Sequence, residues 1–388
     1  MRNRFPFFSS NPDIIYLDSA ATSQSLDTVI EDSNDFLLNH KSNAHRSGHS
    51  MGAWVDERYY TAKDKIGKWL GISEPENRIV FNSGASQGTF DAVSLIRKKF
   101  KGHISVYVGV DCHHSLLLPL RDVSNDIKYI NVKKDGQLDL DAVEVAIKND
   151  SSICKVIAIN SVSNVLGVIN DLDRVRDIAD KYKAITIIDA CQSMGKIKHN
   201  YDGFDFVAWS WHKIYGPMGL GCLLINSDWL EQQPVRPGGG NVTSVDLKDV
   251  QYLDNAGKFE SGTQNLQAIV TLPRLLDWLI ENQQIITQHD QGLANLANEL
   301  FEDKIVPTDT GLVSVMTKAG SVEDITMMLD SFNICIRGGK LCAEPLVSGI
   351  TPANNLLRIS WGAYTSPEEL EIVYEKIGEV SERISRFV

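Results

Sequence analysis

An α/β fold, with a mainly parallel sheet flanked by helices and a smaller α+β C-terminal domain, is predicted by three features of this sequence. Short β-branched or aromatic runs alternate with segments of helical spacing through the first two-thirds of the chain, the pattern of parallel strands joined by crossover helices. Two residues with chemistry to offer, Asp189 and Lys213, stand just past the ends of two such runs, where an open α/β sheet keeps its ligands. A long segment of helical spacing, 266–288, then leads into a second, shorter set of strand-like runs. With 388 residues the chain is long enough for two domains, placed here at 15–275 and 276–388, the second joined by an N-terminal arm, 1–14.

Composition narrows the function classes. Apolar residues make up 43% and charged residues 23%, ordinary values for a globular chain in water. A net charge of −12 argues against a nucleic-acid partner, because phosphate binding is driven by a cationic face. The opening MRNRFPFFSSNPD has an apolar patch too short for a secretory signal, and no run approaches the ~20 apolar residues of a membrane helix. Six cysteines (112, 154, 191, 222, 335, 342) include no CxxC pair, which supports neither a zinc site nor a disulfide framework. The expectation is a cytoplasmic protein with no membrane partner.

Taken in order, 14–17 reads as a short strand leading to Asp18-Ser19-Ala20-Ala21-Thr22, small residues that let a backbone approach a ligand. A helix over 26–40 precedes a polar loop, 41–52, that holds His45, Arg46 and His49, and an amphipathic helix over 54–70 stops at Gly71. A strand at 78–81 runs into Asn82-Ser83-Gly84-Ala85-Ser86-Gln87-Gly88, which opens a helix over 89–100. Such a turn offers a phosphate free N–H groups and the positive end of a helix dipole; no Gly-Lys-Ser/Thr follows, so it is not a nucleotide P-loop. The strand 104–108 leads to Asp111-Cys112-His113-His114, and adjacent residues on a short loop rarely aim at one ion, so no metal is expected. A helix (139–148), a buried strand (154–160), a turn (161–167) and a crossover helix (173–182) precede the strand 184–188 that ends in Asp189. Strands at 206–209 and 222–225 bracket Ser210-Trp211-His212-Lys213 and a Gly/Pro bend. A loop at 236–241 and a hairpin or loop at 242–257 follow; beyond the long helix, strands at 312–316, 334–337 and 357–360 alternate with helices.

Asp189 and Lys213 carry the chemistry. An acid closing an apolar strand is costly unless it meets a cation, and the protonated pyridine nitrogen of pyridoxal phosphate is one. A lysine among aromatic residues loses hydration, so its amine is more readily neutral and nucleophilic, as a Schiff-base lysine must be.

SWHKIYGPMGLG around Lys213 resembles the lysine motif of the class V aminotransferase group, closest to cysteine desulfurases of the sulfur-mobilisation type. YLDSAAT, NAHRSGH, CHHS, SVSNVLG, IDACQS, KFESGTQN and IRGGKLCAEPL occur in that family's order across nearly the whole chain. The resemblance implies pyridoxal 5′-phosphate as cofactor and conversion of L-cysteine to L-alanine with a cysteine persulfide. It also implies a homodimer with composite sites, a sulfur-acceptor protein, and service to iron–sulfur cluster assembly. On the cofactor it places Lys213, Asp189, His113 stacked on the ring and moving protons, and Asn164 on the phenolic oxygen. Ala85, Ser86, Gln192, Ser210 and His212 complete that pocket, and Thr263 reaches the phosphate held by the partner subunit. To the substrate it assigns Ala21, His45, Arg46, Asn164, Arg337 and Arg358, the last gripping the carboxylate through a bidentate pair. Cys342, on a glycine-hinged loop, is the implied nucleophile, with Lys340 and Arg337 favouring its thiolate. The chain departs from the family pattern in three places. Ala85, Ser86 and Gln87 replace two threonines and a glutamate, so backbone amides and Ser86 carry more of the phosphate; Cys112 replaces a glutamate, and Lys340-Leu341 replace histidines. A selenocysteine lyase, aminotransferase or epimerase of the same scaffold would share Lys213 and Asp189 without needing Cys342. A non-enzymatic scaffold is a further reading, and a nicotinamide-binding Rossmann domain fits the alternation alone, although no GxGxxG follows the first strand.

Overall fold

The computed structural model describes residues 1–317, 320–351 and 355–386; the remaining positions of the expected second domain lie outside the described residues. The chain begins with a short helix, Pro6–Ser10, and a two-residue strand, β1 (Ile15–Tyr16). Seven strands then build one sheet: β2 (Ile79–Asn82), β3 (Ile104–Gly109), β4 (Asp126–Ile130), β5 (Cys154–Asn160), β6 (Ile185–Asp189), β7 (Phe206–Ser210) and β8 (Gly221–Ile225). Their spatial order is β2-β8-β7-β6-β5-β3-β4. Only β8 runs against its neighbours; the pairs from β7 through to β4 are parallel.

The near-continuous apolar runs of this sheet are explained by burial on both faces. Along β5, Val156 and Ala158 pack to one side with Ala92, Ile96 and Leu116 of the helices Ala85–Lys99 and His114–Val123. Ile157 and Ile159 pack to the other, with Val143, Val175 and Val55 of the helices Leu140–Lys148, Leu172–Tyr182 and Ser50–Leu70. The result is a helix–sheet–helix sandwich, the α/β class expected.

A hairpin, β9 (Val242–Val245) and β10 (Val250–Tyr252), follows the sheet. Farther on, β11 (Leu312–Val315), β13 (Arg337–Gly339) and β14 (Leu356–Ser360) form an antiparallel sheet in the order β11-β14-β13, while β12 (Ile334–Cys335) pairs in parallel with β1. The helix Leu272–Leu300 joins these parts: Leu275, Leu279 and Ile286 belong to the core of the large sheet, Leu293, Ala294 and Ala297 to that of the small one.

Several boundaries differ from expectation, each for a local reason. The helix expected at 54–70 starts at Ser50 because the His49 side chain accepts the Gly52 N–H and caps it. The helix expected at 89–100 starts at Ala85, directly after Gly84. The helix His114–Val123 was not anticipated because Pro119 interrupts its pattern, and β4 was not because an edge strand half in solvent lacks an apolar run. The expected arm is partly helical, and Phe5 is fully buried against Tyr215, Trp278 and Tyr364. Among the described residues no helix is long and apolar enough to cross a membrane.

Candidate active site

The carboxyl ends of β5, β6 and β7 lie side by side, Asn160 opposite Asp189 and Asp189 opposite Ala208. They open into a cavity of about 440 Å³. Its wall gathers Ala21, Ala85, Ser86, His113, Asn164, Asp189, Gln192, Ser210, His212, Lys213, Arg337, Cys342 and Arg358 from separate parts of the chain. His45, Arg46 and Thr263 are not brought there. Within one chain they line a second hollow of about 570 Å³, beside Tyr59 and a buried ion pair in which Lys63 Nζ lies 2.9 Å from Glu260.

At the floor, Asp189 is buried, and one of its carboxylate oxygens accepts the Cys191 N–H at 2.9 Å. Lys213 ends a single tight turn, Trp211–Lys213, immediately after β7, and is half-buried. His113 caps the helix His114–Val123; its Nδ1 accepts the Ser115 N–H at 3.1 Å, which places the proton of the neutral ring on Nε2. Burial pulls the His113 imidazole down to about 4, with Asp189 opposing and Lys213 assisting, so the ring is neutral near pH 7. Burial likewise brings His212 to about 4; its Nδ1 lies 3.2 Å from Thr22 Oγ1. Gln192 donates to the Ala20 carbonyl at 2.8 Å and so ties the small-residue segment to the floor.

One end of the cavity is the start of the helix Ala85–Lys99. Ser210 Oγ accepts the Ala85 N–H at 2.8 Å, which ties this turn to the β7 end. The turn is tight: a Cβ on Gly221 would stand 2.5 Å from Gly84 Cα, and Gly84 itself has φ +150°.

At the other end, Arg358 on β14 lies directly across from Arg337 on β13, a like-charge pairing that costs stability unless compensated. Asp18 compensates it. Its carboxylate receives Arg337 Nη2 at 2.7 Å and lies 3.5 Å from Arg358 Nη2. Arg358 is buried, which pulls it down to about 10 against the pull of Asp18, and its Nη1 donates to the Asn164 carbonyl at 3.0 Å. The bidentate carboxylate grip expected of Arg358 is therefore partly engaged already by protein oxygens.

Cys342 is exposed, whereas Cys112, Cys154, Cys191 and Cys222 are buried. Leu341 and Cys342 both adopt left-handed backbone, φ 55° and 54°, which costs roughly 1–2 kcal/mol per non-glycine residue. Lys340 is paired with Glu344 and Arg337 with Asp18, so neither is the bare cation expected beside the thiol. Asp18 is the main residue that sequence reasoning passed over. It had appeared only inside a motif, though an acid just before a small-residue turn was the available signal. Among the described residues no cluster of three or more His, Cys, Asp or Glu side chains is arranged to hold a metal.

The family model of class-V aminotransferases matches residues 15–373. This chain belongs to the class-V aminotransferase family. A probable cysteine desulfurase of Halalkalibacterium halodurans is 30% identical over 95% of this chain and 93% of its own length. A cysteine desulfurase of Haloferax volcanii is 27% identical over 95% of this chain and 90% of its own length. Among solved structures, the apo cysteine desulfurase of Thermococcus onnurineus NA1 superposes with a TM-score of 0.90 at 27% identity, covering 98% of this chain and 97% of that one.

The cofactor of this member of the class-V aminotransferase family is pyridoxal 5′-phosphate, and the cavity fits it. An amine and a carboxylate face one space from adjacent strand ends, and a helix N-terminus stands beside them. On the lining residues, Asn160 Oδ1, Asn164 Oδ1 and Arg358 Nε are buried without a protein hydrogen-bond partner, capacity that a polar ligand can draw on.

Proposed function

We propose that this chain is a cysteine desulfurase that takes L-cysteine to L-alanine and leaves sulfur on Cys342. The observation that carries this reading is the convergence of Lys213, Asp189 and the exposed thiol of Cys342 on one cavity. When bound, pyridoxal phosphate supplies an electron sink for the substrate's α-carbon. Lys213 Nζ would hold the cofactor and accept the substrate's α-proton. Asp189 keeps the ring nitrogen protonated. His113, neutral with its proton on Nε2, would pass protons beside the cofactor, which Asn164, Gln192, Ser210 and His212 would help to hold. The Ala85–Ser86 turn takes the phosphate. Arg358, with Arg337, orients the carboxylate near Ala21. Cys342 Sγ attacks the substrate sulfur, so that an S–S bond forms as the substrate's C–S bond breaks. The released carbon takes a proton to become alanine, and Cys342 is left as the persulfide.

Lys213→Ala should abolish turnover. Cys342→Ala should abolish alanine and sulfide formation from L-cysteine while leaving the cofactor's visible absorbance. Normal alanine release by the Cys342 variant would remove the thiol from the reaction.

We further propose a homodimer in which His45, Arg46 and Thr263 of one copy complete the cavity of the other. The support is their grouping in a separate hollow, together with exposed apolar side chains such as Leu38, 81% exposed, and Met218, 69% exposed. Domains at 15–275 and 276–388, a sulfur-acceptor protein serving iron–sulfur cluster assembly, and a cytoplasmic location belong to the same reading. Six free cysteines suit a reducing compartment.

A further inference from the structure

We propose that Asn164 is the positioning residue for Cys342, fixing the thiol's loop by one side-chain hydrogen bond. The proposal rests on Cys342 being the nucleophile and adds a role beyond contact with the cofactor. Asn164 Nδ2 donates 2.8 Å to the carbonyl of Leu341, the residue just before the cysteine. The next carbonyl, that of Cys342, accepts the His114 N–H at 2.9 Å. These two bonds clasp successive peptide groups at the point where the backbone is left-handed at both Leu341 and Cys342. The preceding residues, Gly338 and Gly339, are held in β13 opposite Leu357 and Leu356 of β14, and the chain leaves the sheet at Lys340.

The orientation of the amide is set by this contact. Turned over, it would face oxygen to oxygen against Leu341. As it stands, Oδ1 has no protein hydrogen-bond partner, so the side chain's protein contact is its bond to the loop. Leu341 is buried among Val165, Leu346 and Val347, whereas Cys342 is exposed, which makes the pair an anchored end and a free tip. The same Asn164 accepts Arg358 Nη1 on its backbone carbonyl, so the carboxylate grip and the thiol loop take their positions from one residue. The second clasp comes from His114, next to His113, which lines the cavity.

Hydrogen–deuterium exchange on the purified full-length protein, with and without added pyridoxal phosphate, tests this clasp directly. Asn164→Asp keeps the shape and replaces the donor by an oxygen; Asn164→Ala removes it. In both variants, exchange in the peptides covering 338–346 and 113–117 should rise about three- to tenfold, the worth of one ordinary hydrogen bond. Exchange in Cys154–Asn160, the strand that leads to Asn164, should stay at the wild-type rate. Unchanged exchange at 338–346 in both variants would overturn the proposal, as would equal acceleration in the strand, which marks general loosening. This readout does not depend on turnover. A working clasp together with normal alanine release by Cys342→Ala would sink the nucleophile assignment alone.

Discussion

Asp111 shows how one buried group shapes the site's response to pH. It stands two residues before His113, wholly buried, and burial raises its carboxyl to about 6 against the pull of Ser163, Asn160 and Asn170. Because the folded value lies above the unfolded one, its contribution is favourable below about pH 4 and is lost as pH rises through 6. Asn at this position removes a penalty of up to ~3 kcal/mol above pH 6 and changes little at pH 4. Melting temperatures of Asp111→Asn and wild type should therefore diverge at pH 8 and converge near pH 4.5; an equal gap at both would disprove the ionisation account. Lys213, Asp189 and Cys342 were legible in the sequence because each sits in a motif whose residue types have few other uses. Asp18 was not, because its partners, Arg337 and Arg358, are more than three hundred positions away and face each other only after β13 pairs with β14. The loss of Lys340 as a free cation was hidden for another reason: Glu344 is one helical turn onward, and the start of a helix at Glu344 was not foreseen.

Among the elements, the turn from β2 into the helix at Ala85 depends on two glycines meeting. A methyl on Gly221 would press on the Gly84 backbone at 2.5 Å, and backbone cannot rotate away as a flexible side chain can. Gly221→Ala should lower stability by roughly 1–3 kcal/mol and weaken retention of pyridoxal phosphate, read by thermal melting and by dialysis against buffer lacking it. A stable variant with normal retention would show that the turn yields. Strands buried on both faces were readable from their unbroken apolar runs. β4, exposed along one edge, and the Pro119-containing helix carried no such signature.

On the scale of the whole molecule, the proposed dimer makes a quantitative prediction. If Lys213 belongs to one copy's cavity and Arg46 to the other's, Lys213→Ala and Arg46→Ala chains are each inactive alone. Mixed by refolding or co-expression, they should recover about a quarter of wild-type activity, since half the dimers are mixed and one of two sites in each is intact. No recovery would place Arg46 in its own chain's site, whereas an Arg46→Ala chain active by itself would place Arg46 outside the reaction. Sequence could not separate these because a loop motif names a neighbourhood and not the copy that supplies it.

The helix Leu272–Leu300, 29 residues or about 43 Å long, is sunk at one end in each of the two cores. An axle fixed at both ends resists swinging of the small sheet away from the large one. In the proposed desulfurase, carriage of sulfur out of the cavity would then fall to the exposed Cys342 side chain, at the tip of a segment whose backbone is held by Asn164 and His114.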